Sequence, residues 1–339
     1  MIIERPTVSF EHLHALSGPL GTFEHCEGRE PRVEHGYCTD DVARVLLACL
    51  REPQPDSEVL DLASRSLDFL HGAQDARGRF VNRRQTTGQW MGRATNEDCW
   101  GRAVWALGLA SVRGRDEQER DRARTMFDLS APVGSPWPRS LAFAVLGAHE
   151  GSGVLDDSST SRLMFDAHEV LVRPELDPDW YWPESSLTYA NAVLPDALLV
   201  LGLYFDDDEL IDRALGQLQW LLAMESRRGY LSVTPAGGRR WNEPSARFDQ
   251  QSIEVATLVE ACSRALGVTG DERWRRGVEL GVDWFLGLND GRCRMYDPDT
   301  GGGYDGLTSL GPNTNQGAES TLAYITTFQH ARRWSGVPA

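Results

Sequence analysis

One pattern recurs six times along this chain and limits what it can fold into: a polar cluster running directly into a stretch that is apolar on nearly every side. The copies are "HGYCTDDVARVLLACL" (35–50), "TNEDCWGRAVWALGLA" (95–110), "PRSLAFAVLGAH" (138–149), "YANAVLPDALLVLGLYF" (189–205), "DQQSIEVATLVEAC" (249–262) and "NQGAESTLAYITTF" (315–328). Anchored on Asp41, Asp98, Ser140, Asn191, Gln251 and Glu319, they follow one another at 57, 42, 51, 60 and 68 residues. Each interval has room for two helices and two loops. The repeating unit is therefore a helical hairpin.

Between the copies lie segments of another kind, at 58–74, 117–129, 208–224 and 271–288, where apolar residues recur at three and four. "FEHLHALSG" at 10–18 supplies a first member of this set. A helix apolar all round is buried on every side, whereas one with a single apolar stripe faces water on the other. The simplest closed packing is an inner ring of six parallel helices inside an outer ring. The expected fold is thus all-α, an (α/α)6 toroid spanning 1–339 as one domain, with short extended segments in its loops. An open solenoid of hairpins has repeats closer in length and polar terminal caps, which the unequal intervals do not suggest. Gly108, Gly147 and Gly202 fall inside inner helices, where they cost stability relative to alanine but permit close helix approach.

Composition removes several classes of function. The chain has no lysine, so its 34 basic residues are all arginine, and neither a Schiff-base lysine nor a P-loop lysine exists. Six scattered cysteines with no CxxC pair predict reduced thiols, not a disulfide framework or zinc site, and no metal or cofactor is expected. A net charge of −16 repels phosphate backbones and anionic membrane surfaces, so neither nucleic acid nor a membrane is an expected partner. No apolar run reaches the roughly 18 residues of a membrane span. The N-terminal "MIIERPTVSF" lacks the basic start and apolar core of a secretory signal, which predicts a cytoplasmic protein.

Parallel inner helices place all six polar starts on one face of the ring. Asp40 and Asp41 then have two readings. They are either electrostatic helix caps or members of a set of groups converging on a central funnel. "HGYCTDDVAR", "TNEDCWGRA" and "NQGAESTLAY" resemble the six-hairpin glycosidase superfamily, and more closely a bacterial (α/α)6 family often encoded beside or fused to glycosyltransferases. The resemblance spans nearly the whole chain and implies carbohydrate chemistry on an oligosaccharide or polysaccharide. No doubly wound sheet or nucleotide-sugar site accompanies it, so a glycosyltransferase activity does not transfer.

Cleaving a glycosidic bond takes two carboxyl groups, one protonated as acid and one ionised as base or nucleophile. Glu184 follows "DWYWP", where desolvation by Trp180, Tyr181 and Trp182 suits a general acid; its alternative is a helix-start cap. Asp41 and Asp98 precede Arg44 and Arg102, which keeps each ionised and makes both candidates for the base. Glu319, beside Asn315 and Gln316, is either a third acid or part of a hydrogen-bonding set for sugar hydroxyls, and inversion is the expected outcome. Expected substrate contacts are Asp40, His35, Asn96, Glu97, Arg102, Trp180, Trp182, Tyr189, Asn191, Asp249, Gln250, Gln251, Asn315 and Gln316. Flat Trp faces suit sugar rings, although Trp also serves the core. "DPDTGGGYDG" at 297–306 lacks spaced EF-hand ligands and reads as an acidic turn. Two alternatives share the same funnel. One is a phosphorylase using Arg44, Arg93 and Arg102 for phosphate; the other is a non-catalytic carbohydrate-binding partner of a glycosyltransferase.

Overall fold

The computed structural model describes residues 8–172, 176–244 and 246–334. Six long helices form an inner ring: α2 (Thr39–Arg51), α4 (Asp98–Arg113), α6 (Pro138–Glu150), α8 (Val193–Phe205), α10 (Ser252–Thr269) and α12 (Ala318–Arg333). Each packs on the next, and α12 returns to α2, so the ring is closed and the solenoid alternative is removed. The outer layer is α1 (Glu11–Ala15), α3 (Ser57–Ala73), α5 (Glu117–Ser130), α7 (Asp157–Leu171), α9 (Asp208–Met224) and α11 (Glu272–Leu286). Of these α1 packs on α12, and the others pack on the inner helix that precedes each in the chain.

The two helix sets differ as their sequences require. In α4 every residue from Cys99 to Ser111 is buried, while α3 buries one stripe through Val59, Leu62, Ala63, Ser66, Leu67 and Leu70. The outer helix α7 is absent from the periodic segments of the sequence. Its Ser-rich start and its few buried apolar residues, Leu163, Met164, Ala167 and Leu171, give a weak stripe.

Capping separates the sets further. The outer helices α3, α5, α7, α9 and α11 each begin on an aspartate, Asp56, Asp116, Asp156, Asp207 or Asp271, whose side chain accepts from a first-turn backbone N–H. None of the six inner helices has a side-chain cap bond. The acids at the inner starts are therefore not caps, and Asp41, Asp98 and Glu319 are held by other side chains.

Short antiparallel strands tie down the loops leading into the inner helices. Tyr37–Cys38 pairs with Arg83–Arg84, which pairs with Trp90–Met91, and the register sets Cys38 opposite Arg83. Ser186–Leu187 pairs with Arg239–Arg240, and Gly306–Thr308 with Gly311–Asn313.

The closest approach in the inner ring is between α4 and α6. A Cβ on Gly108 would lie 1.9 Å from the Gly147 carbonyl oxygen, one on Gly101 2.2 Å from that of Ser140, and one on Gly147 2.5 Å from that of Val104. Backbone cannot move aside as a flexible side-chain tip can. Gly202 instead faces the outer layer, with Ile211 Cγ1 2.7 Å from a Cβ placed there. Helix propensity alone favours Gly108→Ala by about 1 kcal/mol. Overpacking reverses this, and the substitution is expected to lower the unfolding free energy by about 1–3 kcal/mol, measured by denaturant titration.

Candidate functional site

At the N-terminal ends of the inner helices lies a cavity of about 470 Å³, within the roughly 300–1,000 Å³ usual for small-molecule sites. Asp40 and Asp41 from α2, Asp98 and Arg102 from α4, and Glu319 from α12 line it, together with Arg44, Tyr189 and Gln251. Loops add Glu24, His25, Cys38, Asn82, Arg83 and Asp305.

Arg44 organises one wall. Its Nη2 donates to Asp41 Oδ1 and its Nη1 to Glu319 Oε2, the latter at 2.7 Å. One guanidinium thus serves two carboxyls that differ in exposure: the Asp41 side chain is 3% exposed and that of Glu319 45%. Burial pushes Asp41 up to about 6 against the pull of Arg44. Glu319 pays a burial penalty as well, but Arg44, with Arg102 and His25 behind it, outweighs that penalty and holds the carboxyl below its usual range. The shared cation pulls both carboxyls down; burial overrides it at Asp41 and does not at Glu319.

The opposite wall is built on Asp98, whose Oδ1 accepts from Ser140 Oγ at 2.8 Å and Oδ2 from Tyr189 Oη at 2.7 Å. Tyr189 is 42% exposed, and its ring lies 4.9 Å from the Arg139 guanidinium. Buried Glu254 fixes the loop bearing this ring, accepting from the backbone N–H of Ala190 and Asn191 and from Asn191 Nδ2. Ala190 adopts a left-handed φ of 45°, a conformation costly for a residue with a Cβ, beside the tyrosine that faces the cavity. Asp40, pushed up by burial, has Arg102 Nε 3.5 Å from its Oδ1. Burial raises the Cys38 thiol well above its ordinary range, so it stays protonated.

Asp305 and His25, like Glu24, Cys38, Asn82 and Arg83, line the cavity and are absent from the sequence candidates. Asp305 Oδ1 accepts from Gly317 N at 2.8 Å and Ser320 Oγ at 2.6 Å, tying the 297–306 loop to the start of α12. His25, whose pKa is lowered by burial and then by His35, has its Nδ1 3.0 Å from His35 Nδ1. Neither belongs to a helix start. The only available signal for Asp305 was its place in an acidic turn, and for His25 its nearness to Glu24 and Glu27 in "FEHCEG".

Several sequence candidates sit elsewhere. Glu184 does not line the cavity: Arg139 grips both its oxygens, Nη1 to Oε1 at 2.8 Å and Nη2 to Oε2 at 2.9 Å, in a fork behind Tyr189. Its partner is a buried arginine that the sequence places 45 residues upstream. Trp180 and Trp182 are 5% and 3% exposed and pack on Trp220 in the core, so neither offers a face to a sugar. Asn191 and Gln250 are buried, the latter bonded to Asp290 and Trp284. Gln316 is buried against Asp297 and Thr300, Asn315 accepts from Gly28 N, and Asn96 donates to the Gly134 carbonyl. Glu97, His35 and Asp249 are exposed and lie outside the cavity lining. The six cysteines are all free.

No family model matches the sequence, and no curated protein matches it. Solved structures do match the fold. A sugar epimerase from a ruminal bacterium superposes with a TM-score of 0.73 at 13% identity, covering 96% of each chain. The cellobiose 2-epimerase of Bacillus thermoamylovorans gives 0.73 at 12% identity, over 95% of this chain and 96% of that one. A cellulase of C. cellulolyticium in complex with cellobiose gives 0.62 at 11% identity, over 96% and 91%. The fold is the six-hairpin toroid found in these carbohydrate-active enzymes. Among the described residues no helix is long and apolar enough to cross a membrane.

Removing the shared cation tests this electrostatic arrangement. Arg44→Met leaves Asp41 buried beside Glu319 without compensation and is expected to lower stability at pH 7 by about 3 kcal/mol. The loss is expected to shrink as pH falls toward 6, because without the guanidinium that lowers it Asp41 takes up its proton above the value of about 6 that it has beside Arg44, and the uncompensated charge disappears. Urea titrations of both proteins at pH 5 and pH 7 measure the difference.

Proposed function

We propose that the protein is an enzyme that cleaves a glycosidic bond in a neutral oligosaccharide or polysaccharide, with Asp41 as general acid and Glu319 as base. The observation that carries this reading is the opposed displacement of the two carboxyls flanking Arg44, one raised to about 6 and one lowered. A pair of titratable groups pushed apart in this way supplies a proton donor and an acceptor at the same pH. In the proposed reaction Asp41 gives its proton to the departing glycosidic oxygen as the C–O bond breaks. Glu319 takes a proton from water as the water oxygen bonds to the anomeric carbon. The exposed Tyr189 ring and the polar edge of Gln251 supply contacts to sugar rings and hydroxyls. The acid role is moved here from Glu184, whose two oxygens are both engaged by Arg139.

A second reading, epimerisation or isomerisation of a reducing sugar, has one observation in its favour. His25, held neutral by burial, faces the same cavity and is hydrogen-bonded to a second imidazole, a pairing able to move a proton at a carbon beside a carbonyl. Two of the superposed structures are sugar epimerases. Incubation of the protein with an oligosaccharide panel, with and without phosphate, separates the readings. Hydrolysis releases new reducing ends, phosphorolysis does so only with phosphate, and epimerisation conserves mass while changing the sugar. A protein that binds sugar but changes none of the panel belongs to the non-catalytic alternative.

For hydrolysis the pH profile of kcat/KM is expected to be bell-shaped with a mildly acidic optimum. Activity rises as Glu319 loses its proton below its ordinary range and falls as Asp41 loses its own through about pH 6. Asp41→Asn and Glu319→Gln are each expected to reduce kcat by about 10²–10⁴-fold. Asp41→Asn should also flatten the alkaline limb, and should lose least on substrates with good leaving groups.

A further inference from the structure

We infer that the opposite mouth of the ring binds a phosphate monoester carrying a hydroxylated body, at a site separate from the funnel and independent of the reaction proposed for it. A second cavity, of about 520 Å³, opens where the last turns of α2, α4, α6 and α12 meet. Its charged lining is Arg51, Arg113, Glu150, Arg332 and Arg333.

The charges divide into a floor of two arginines among three carboxyls and a rim where arginines are in excess. Below, Arg51 pairs with Glu260 and lies 3.5 Å from Glu150, while Arg264 pairs with Asp196 at 2.7 Å and approaches Glu150 at 3.9 Å. Glu150 therefore shares both arginines with Glu260 and Asp196, and the floor keeps one carboxyl in excess. Arg332 pairs with Glu52 at 2.7 Å. Arg113 and Arg333 form no ion pair among the described residues: Arg113 Nη1 donates to the Leu50 carbonyl at 3.2 Å, and the Arg333 guanidinium lies 5.3 Å from the Trp334 ring centroid. These two rim guanidiniums, with no carboxyl paired to them among the described residues, present planar donors suited to the oxygens of a phosphate monoester.

Favourable interaction with helix C-termini explains arginines at these positions. It does not explain Gln329, which is 7% exposed and lines the same cavity. Its Nε2 donates to the Ala48 carbonyl at 2.9 Å, while its Oε1 is buried with no hydrogen-bond partner. A buried acceptor beside an open cavity calls for a donor from a ligand, and a hydroxyl supplies one. The volume also exceeds what inorganic phosphate fills. Oxyanion donors on the rim and an acceptor within together describe a sugar phosphate or similar ester. The chain's net charge of −16 disfavours larger polyanions at the same place.

Calorimetry and thermal unfolding with glucose 6-phosphate, inorganic phosphate and glucose test the assignment. The ester is expected to raise Tm and to bind more tightly than inorganic phosphate, with glucose inert at this mouth. Arg113→Ala combined with Arg333→Ala should weaken the ester about tenfold or more and leave turnover in the funnel unchanged, since both side chains are exposed and remote from it. Gln329→Met should erase the advantage of the ester over inorganic phosphate. No Tm increase with either phosphate species at millimolar concentration overturns the proposal. So does undiminished binding in the double variant, or binding that is lost instead in Glu319→Gln, which would put the ligand in the funnel.

Discussion

Closure of the inner ring with all six helices pointing the same way is the constraint on which the rest of this molecule depends. It gathers six helix N-termini at one mouth and six C-termini at the other, so the two ends carry opposite partial charge before any side chain is considered. The residue types follow that polarity: Asp40, Asp41, Asp98 and Glu319 at the first mouth, Arg51, Arg113, Arg332 and Arg333 at the second. Closure in turn rests on backbone-to-backbone contact between α4 and α6, where Gly101, Gly108 and Gly147 leave no room for a methyl group. A wider ring would separate the walls that Arg44 and Tyr189 now bridge.

Within the funnel, burial and Coulomb attraction compete, and exposure decides which wins. Asp41 and Glu319 share one arginine, yet the nearly enclosed carboxyl is raised and the half-open one lowered. Water at the mouth reduces the cost of ionising Glu319, while Asp41 has only the guanidinium to offset its lost hydration. The division of labour between outer and inner helices permits this. Outer helices spend their aspartates on backbone caps, and inner helices leave theirs to side-chain partners across the ring.

Much of the architecture was legible because periodicity reports burial directly. All six inner helices begin within two residues of their polar anchors, and four of the amphipathic segments match outer helices closely. The outer helix α7 escaped because its short apolar stripe is diluted by serines, and the segment at 10–18 yields only the five residues of α1. Of the acids expected to meet in the funnel, Asp41, Asp98 and Glu319 do so, since each sits on or beside the first turn of a parallel inner helix. Glu184 does not, because it belongs to a loop whose path is set by Arg139 and by tryptophans turned inward.

Local pattern by itself determined the hairpin repeat, the alternation of buried and half-buried helices, and the face on which the polar starts gather. These depend on which side of a helix is apolar, a property written in spacing along the chain. Tertiary structure alone decided which polar residues are satisfied internally and which face a cavity. Asn191, Gln250 and Gln316 look like sugar-binding amides in sequence and are buried hydrogen-bonding groups in the fold, whereas His25 and Asp305 come from irregular loops and line the funnel. The partners that settle each case lie tens to hundreds of residues away, and no periodicity encodes a contact between loops. Hydrogen bonding and desolvation act through space, so they become definite only once the ring has closed.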